Sequence, residues 1–230
     1  MQAKDLHHLL SRAGFGWTPA YQSWYGYSRA EAVQQLLQDS ADFTPLNAIA
    51  HPLAGKRREE VSNLQILLRI LNSKKQLEEL NVAWIKRMQH THAVLREKMV
   101  LFWHNHFATR SPFGYLAQVQ HNTLQQHALG NFRDLLHAVA KDPAMILYLN
   151  NQQNVKDHPN ENFAREVMEL FTLGEGHYTE QDIKEAARCF TGWQVNREPV
   201  FEKVPPLQDK GTKTVLGHSG LVDGEEVIEV

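Results

Sequence analysis

The stretch LREKMVLFWHNHF, residues 95–107, decides how the rest of the chain is read. On a helical wheel of about 100° per residue, Val100, Leu101, Trp103, Phe107 and Ala108 cover one broad arc. Leu95, Met99 and Phe102 cover much of the remainder. A helix that is apolar nearly all round is a buried central helix, so the pattern predicts a helix from about Ala93 to Ala108 as the most buried element, with Trp103 in the core. His104, Asn105 and His106 are then polar groups in or beside that core, and each needs a partner.

Helical signals continue outward in both directions. Leu6, Leu9 and Leu10 line a first helix that stops near Gly14 and Gly16. Thr18-Pro19 has the form of an N-cap followed by proline at the first helical position. Ser28 and Glu31 have capping-box spacing and open a helix expected to bury Val33, Leu36 and Leu37. Ala41 to Gly55, with Pro45 and Pro52, reads as loop. Lys56-Arg57-Arg58 followed by Glu59-Glu60 reads as a solvated helix start. Periodicity resumes at Val61, Leu64, Leu67, Leu68 and Leu71, then at Leu77, Leu80, Trp84 and Met88.

Beyond the central stretch, Tyr115 to Leu129 reads as a helix closed by Gly130. Asn131 caps the next, which carries Phe132, Leu135, Leu136 and Val139. Asp142-Pro143 restarts a short one, Asn150 to Asn160 is an exposed connection, and Thr179 with Asp182 forms a second box leading to Gly192. After Trp193, three prolines and short alternating runs suggest a small hairpin. Asp223 onward begins another helix, expected to end before burying its apolar face. The fold class is therefore mainly α, a multi-helix orthogonal or bundle-like domain over 1–193. The remainder, 194–230, is a hairpin and the start of a further, truncated helical region.

Bulk numbers narrow the function classes. The chain has 230 residues with 24 Lys+Arg against 26 Asp+Glu, so no global charge favours nucleic acid or an anionic membrane surface. The single cysteine, Cys189, leaves no intramolecular disulfide and reads as a small buried apolar residue. No apolar run approaches a membrane span, and no signal-peptide pattern opens the chain, so a cytoplasmic location is the default. GxSxG, P-loop and GxGxxG motifs are absent from the sequence.

Candidate chemistry sits in two segments. His104 and His106 project to nearly opposite sides of their helix and cannot share one metal in the i, i+4 manner. Glu97 lies about two turns below His104 on the same face, so those two could line one pocket. In the segment NENFAREVMELFTLG, residues 160–174, Phe163, Val167, Leu170 and Phe171 form the apolar stripe. Glu161, Arg165 and Glu169 form an exposed ladder. Glu166 lies at the stripe edge, where a carboxylate either pairs with a cation or has a raised pKa suited to proton transfer. His104 and Glu166 are the candidate catalytic pair, and His104, Glu97 and Glu166 the candidate ligands of a divalent metal. Core histidines satisfied by backbone, and a surface ion pair at Glu166, are the structural alternatives.

At these same residues the chain resembles a bacterial domain-of-unknown-function family, DUF1800. The likeness runs through HLLSRAGFG (8–16), FWHNHFAT (102–109), ALGNFRDL (128–135), NENFAREVME (160–169), YTEQD (178–182), TGW (191–193) and KTVLG (213–217). The resemblance implies a helical protein, with members typically longer than this chain and carrying a further helical half. It brings no activity, cofactor or catalytic residue. It also implies a sulfatase-like partner, since members are often encoded beside one, and export, since many members are exported.

Three readings follow. One is an enzyme whose buried His/carboxylate site binds a divalent metal or does acid–base chemistry on a small polar substrate. The second is a partner-binding helical module, and the third a polar network that only fixes helix register. The chain is also expected to self-associate if its second half is missing.

Overall fold

A computed structural model describes residues 1–51, 63–111, 113–196 and 198–230, with the side chains of 63–71 outside the described set. The expected helix start at Lys56–Glu60, the Pro52–Gly55 part of the loop and Val61 lie outside the described residues, as do the side chains of Leu64, Leu67, Leu68 and Leu71. The protein is mainly helical. Its α-helices are α1 (Ala3–Ala13), α2 (Arg29–Asp39), α3 (Asn63–His90), α4 (Val94–His106) and α5 (Gly114–His127). They continue with α6 (Phe132–Ala140), α7 (Pro143–Tyr148), α8 (Asn162–Glu166), α9 (Glu180–Cys189) and α10 (Gly224–Glu229). Among the described residues, four short strands, β1 (Trp193–Val195), β2 (Phe201–Lys203), β3 (Lys213–Val215) and β4 (His218–Leu221), make two antiparallel hairpins.

Local chemistry sets these boundaries. The boxes at Ser28/Glu31 and Thr179/Asp182 both form, each residue bonding the other's backbone N–H. Asn131 caps α6 by accepting from Arg133 N, and Asp142 caps α7 by accepting from Ala144 N and Met145 N. Thr18-Pro19 opens a 3₁₀-helix, Pro19–Gly26, without a side-chain cap bond.

The main core joins α4 through Val100 and Phe107 to α5, α6, α7, α8 and α9, and to Trp193, Val215 and Val227 beyond them. A second apolar cluster brings Leu6, Leu10, Tyr21, Trp24, Ala32 and Leu36 against Val94 at the start of α4. α4 thus bridges two cores, but it is not buried all round. Leu101 is 39% and Phe102 54% exposed, and His104 and Asn105 face solvent. The wheel located apolar residues without knowing how many neighbours would arrive. α5 runs along one side, the N-terminal helices reach only the start of α4, and the outer side has no cover among the described residues. α5 takes the more buried place, with Leu116, Gln118, Gln120, His121, Leu124 and Gln125 enclosed. Trp103 is half-buried against the main core and donates to the Ala128 carbonyl at 3.0 Å.

Other departures have local causes. In α2 the buried positions are Ala32 and Leu36, whereas Val33 and Leu37 are exposed, because only one narrow side meets the N-terminal cluster. α8 widens into a π-helix over Val167–Thr172, and its wider turn rotates the stripe. Met168 and Phe171 are buried, while Leu170 is 59% exposed. The Asn150–Asn160 connection is anchored from within: Asn151 and Asn154 are fully buried and donate to the carbonyls of Phe190, Trp193 and Ala187. Side-chain amides there satisfy the C-terminal carbonyls of α9 and its following turn. α10, expected to leave its apolar face bare, buries Val227 in the main core. No helix among the described residues is long and apolar enough to cross a membrane.

Candidate functional site

Three helices converge on one indole ring. α3 supplies Trp84 and Arg87, α4 supplies Glu97 and His104, and α5 supplies His121 and Gln125. The pairing of Glu97 with His104 on one face follows from their spacing of seven residues, about two turns. Both meet Trp84: its Nε1–H donates to Glu97 Oε2 at 2.9 Å, and its ring lies 5.3 Å, centroid to centroid, from His104. His121 meets the same indole edge-on at 4.7 Å.

Glu97 is almost wholly enclosed, 1% exposed, yet both its oxygens are engaged. Gln125 Nε2 donates to Oε1 at 2.5 Å, and Arg87 Nη1 stands 3.9 Å from that oxygen. Burial raises the carboxyl's pKa, opposed by the Trp84 bond, the Arg87 charge and the Gln125 bond. Arg87 is held by the carbonyls of Thr44 and Pro45 and by Gln125 Oε1. Its position is fixed partly from outside the cluster, by the Thr44 and Pro45 carbonyls.

The two histidines are driven toward neutrality. Desolvation lowers the His104 pKa even though part of its ring reaches solvent. His121, 3% exposed, is pushed down to about 3, by burial first and then by the charges of Arg87 and His104. Its Nε2 is buried and has no hydrogen-bond partner. At neutral pH both imidazoles are therefore uncharged, one in contact with water and one shut away from it.

Among the described residues, no hydrogen bond, ion pair or ring contact joins Glu166 to His104, His106 or Glu97. The Glu166 pKa is raised by desolvation and by the Glu169 charge, and lowered by Arg165. Arg165 itself is committed to Glu180 at 2.8 Å and Glu161 at 3.3 Å, while Glu169 accepts from the Tyr178 hydroxyl at 2.6 Å rather than completing a ladder. The α4 residue that reaches the π-turn is His106, whose Nε2 bonds the Phe171 carbonyl at 3.0 Å. Among the described residues, no group of three or more His, Cys, Asp or Glu side chains is placed to hold a metal ion.

His121, Gln125 and Arg87 were not singled out by sequence, because their meeting depends on how three consecutive helices pack rather than on any spacing within one. One signal was present: His121 lies on the same α5 stripe as Leu124 and Ala128, so it had to be a core histidine.

A family model described as a protein of unknown function, DUF1800, matches residues 8–230. No curated protein matches, and no solved structure matches.

Proposed function

The chain belongs to the DUF1800 family of proteins of unknown function, and we propose that its α3–α4–α5 cluster is an acid–base site for a small polar substrate. His104 exchanges the proton. The observation that carries this reading is the single indole whose N–H is bonded to Glu97 and whose ring touches both His104 and His121.

His104 is the solvent-reaching member, and its lowered pKa leaves it neutral and able to accept a proton from a substrate hydroxyl or amine. The imidazolium so formed lies against an aromatic ring, a favourable place for a cation. His121 cannot share the proton readily, because its enclosure opposes charging. The proton is therefore confined to His104. A divalent metal would need ligands beyond His104 and Glu97, and Glu166 is not joined to them, so the acid–base form has the better support.

The test is a thermal-shift panel of polyols, amino alcohols and amino sugars on the native chain and on His104→Gln. Because His104 is exposed, the variant's own Tm is expected within about 2 °C of the parent. Compounds that raise the parent Tm are expected to lose that effect in the variant. Equal shifts in both proteins would contradict a site at His104.

A further inference from the structure

Outside this cluster, one carboxyl among the described residues is enclosed with no countercharge. Asp142 is 2% exposed at the corner between α6 and α7. Its Oδ1 accepts from the amides of Ala144 at 2.9 Å and Met145 at 3.3 Å. Its Oδ2 is buried and bonded to nothing. Among the described residues the one side chain that acts on it is Thr123 of α5, and no charged group from α5, α6 or α7 does so. Thr123 also donates its hydroxyl to the Val119 carbonyl at 3.1 Å, and it carries no charge to offset a carboxylate. The nearby charges are committed elsewhere: Lys141 to Glu225 at 2.8 Å, and His137 to Glu229 at 2.7 Å.

We propose that Asp142 is a proton-held latch: its carboxyl is neutral in the folded chain, and loss of that proton loosens the start of α7. An ionised carboxylate would leave a dry, unpaired oxygen with no countercharge, whereas a neutral carboxylic acid avoids burying that charge. Burial pushes this carboxyl up to about 7, against the amides of Met145 and Ala144 and the Thr123 hydroxyl, which lower it. The folded chain then holds a proton that the unfolded chain, with its ordinary value of 3.8, has lost. Stability from this group therefore falls as pH rises from about 4 to 7. His121 acts in the opposite sense, because its folded value is depressed and folding loses stability as pH falls below 6.5. The latch must be read as a difference.

The experiment compares urea unfolding of the native chain and of Asp142→Asn, an equally good helix cap that cannot ionise. Between pH 5 and 8, the ratio of native to variant folding constants is expected to fall about 100-fold. A constant ratio would overturn the proposal. Hydrogen exchange over the same range is expected to show the α7 amides losing protection relative to those of α9, and equal protection would overturn the latch. If the variant does not fold, the ¹³C carboxyl resonance of Asp142 in the native chain decides. A midpoint near neutrality supports the proposal, and one in the ordinary carboxylate range overturns it.

Discussion

Replacing Glu97 by alanine is expected to cost about 3–5 kcal/mol in urea unfolding, the usual loss when one partner of a buried ionic network is removed. The substitution leaves the Trp84 N–H and the Gln125 amide without their acceptor, and the Arg87 guanidinium without its counterion. It also opens a cavity where the side chain stood. Glu97→Gln should cost less, since its carbonyl oxygen still accepts from Trp84 while its amide meets Gln125 and Arg87 poorly. A loss below about 1 kcal/mol for the alanine variant would mean that water replaces the carboxylate and that the cluster is not dry.

Arg96→Ala is expected to be of similar size, about 3–5 kcal/mol, because it removes several charge-assisted hydrogen bonds, two of them to the buried Ser40 and Gln125 carbonyls. Arg96 is 6% exposed and has no carboxylate partner within ion-pair distance among the described residues. It donates instead to four carbonyls: Ser40 at 2.9 Å, Ala41 at 2.8 Å, Gln125 at 2.6 Å and Gln126 at 3.4 Å. Two of these belong to the end of α5, where exposed carbonyls attract a cation, and two follow α2. The guanidinium thereby ties the N-terminal helices to the helix that carries His121. Arg96→Lys should restore little, since an ammonium cannot span the same acceptors as a planar fork. Urea unfolding measures both variants. A lysine variant as stable as the parent would show that charge alone suffices.

The helices were legible because their ends are written locally. Ser28 with Glu31, Thr179 with Asp182, Asn131, Asp142 and Asp223 each declare a helix start within a few residues. The side each helix buries was less legible, because it depends on what arrives from elsewhere. Phe102 is as apolar in the sequence as Phe107, yet it faces solvent while Phe107 is fully enclosed. Leu170 was misplaced for a different reason, since the 3.6-residue period fails where the turn becomes a π-helix. For the candidate site, the Glu97–His104 face could be read from spacing alone. Glu166 could not be placed from its wheel position, because a stripe edge fixes burial and not the identity of the opposing helix. His121 and Gln125 enter through α5, more than twenty residues from Glu97, and only tertiary packing joins them.

The proposed site requires both histidines to be held neutral by desolvation around one carboxylate-bound indole. The direct measurement is a pH titration of the histidine ring protons by two-dimensional NMR, assigned with His104→Gln and His121→Gln. The expected result is that His104 titrates below 6.5 and that His121 stays neutral down toward its value of about 3, or until the chain unfolds. Both rings titrating at or above 6.5 would contradict a desolvated histidine pair on these three helices.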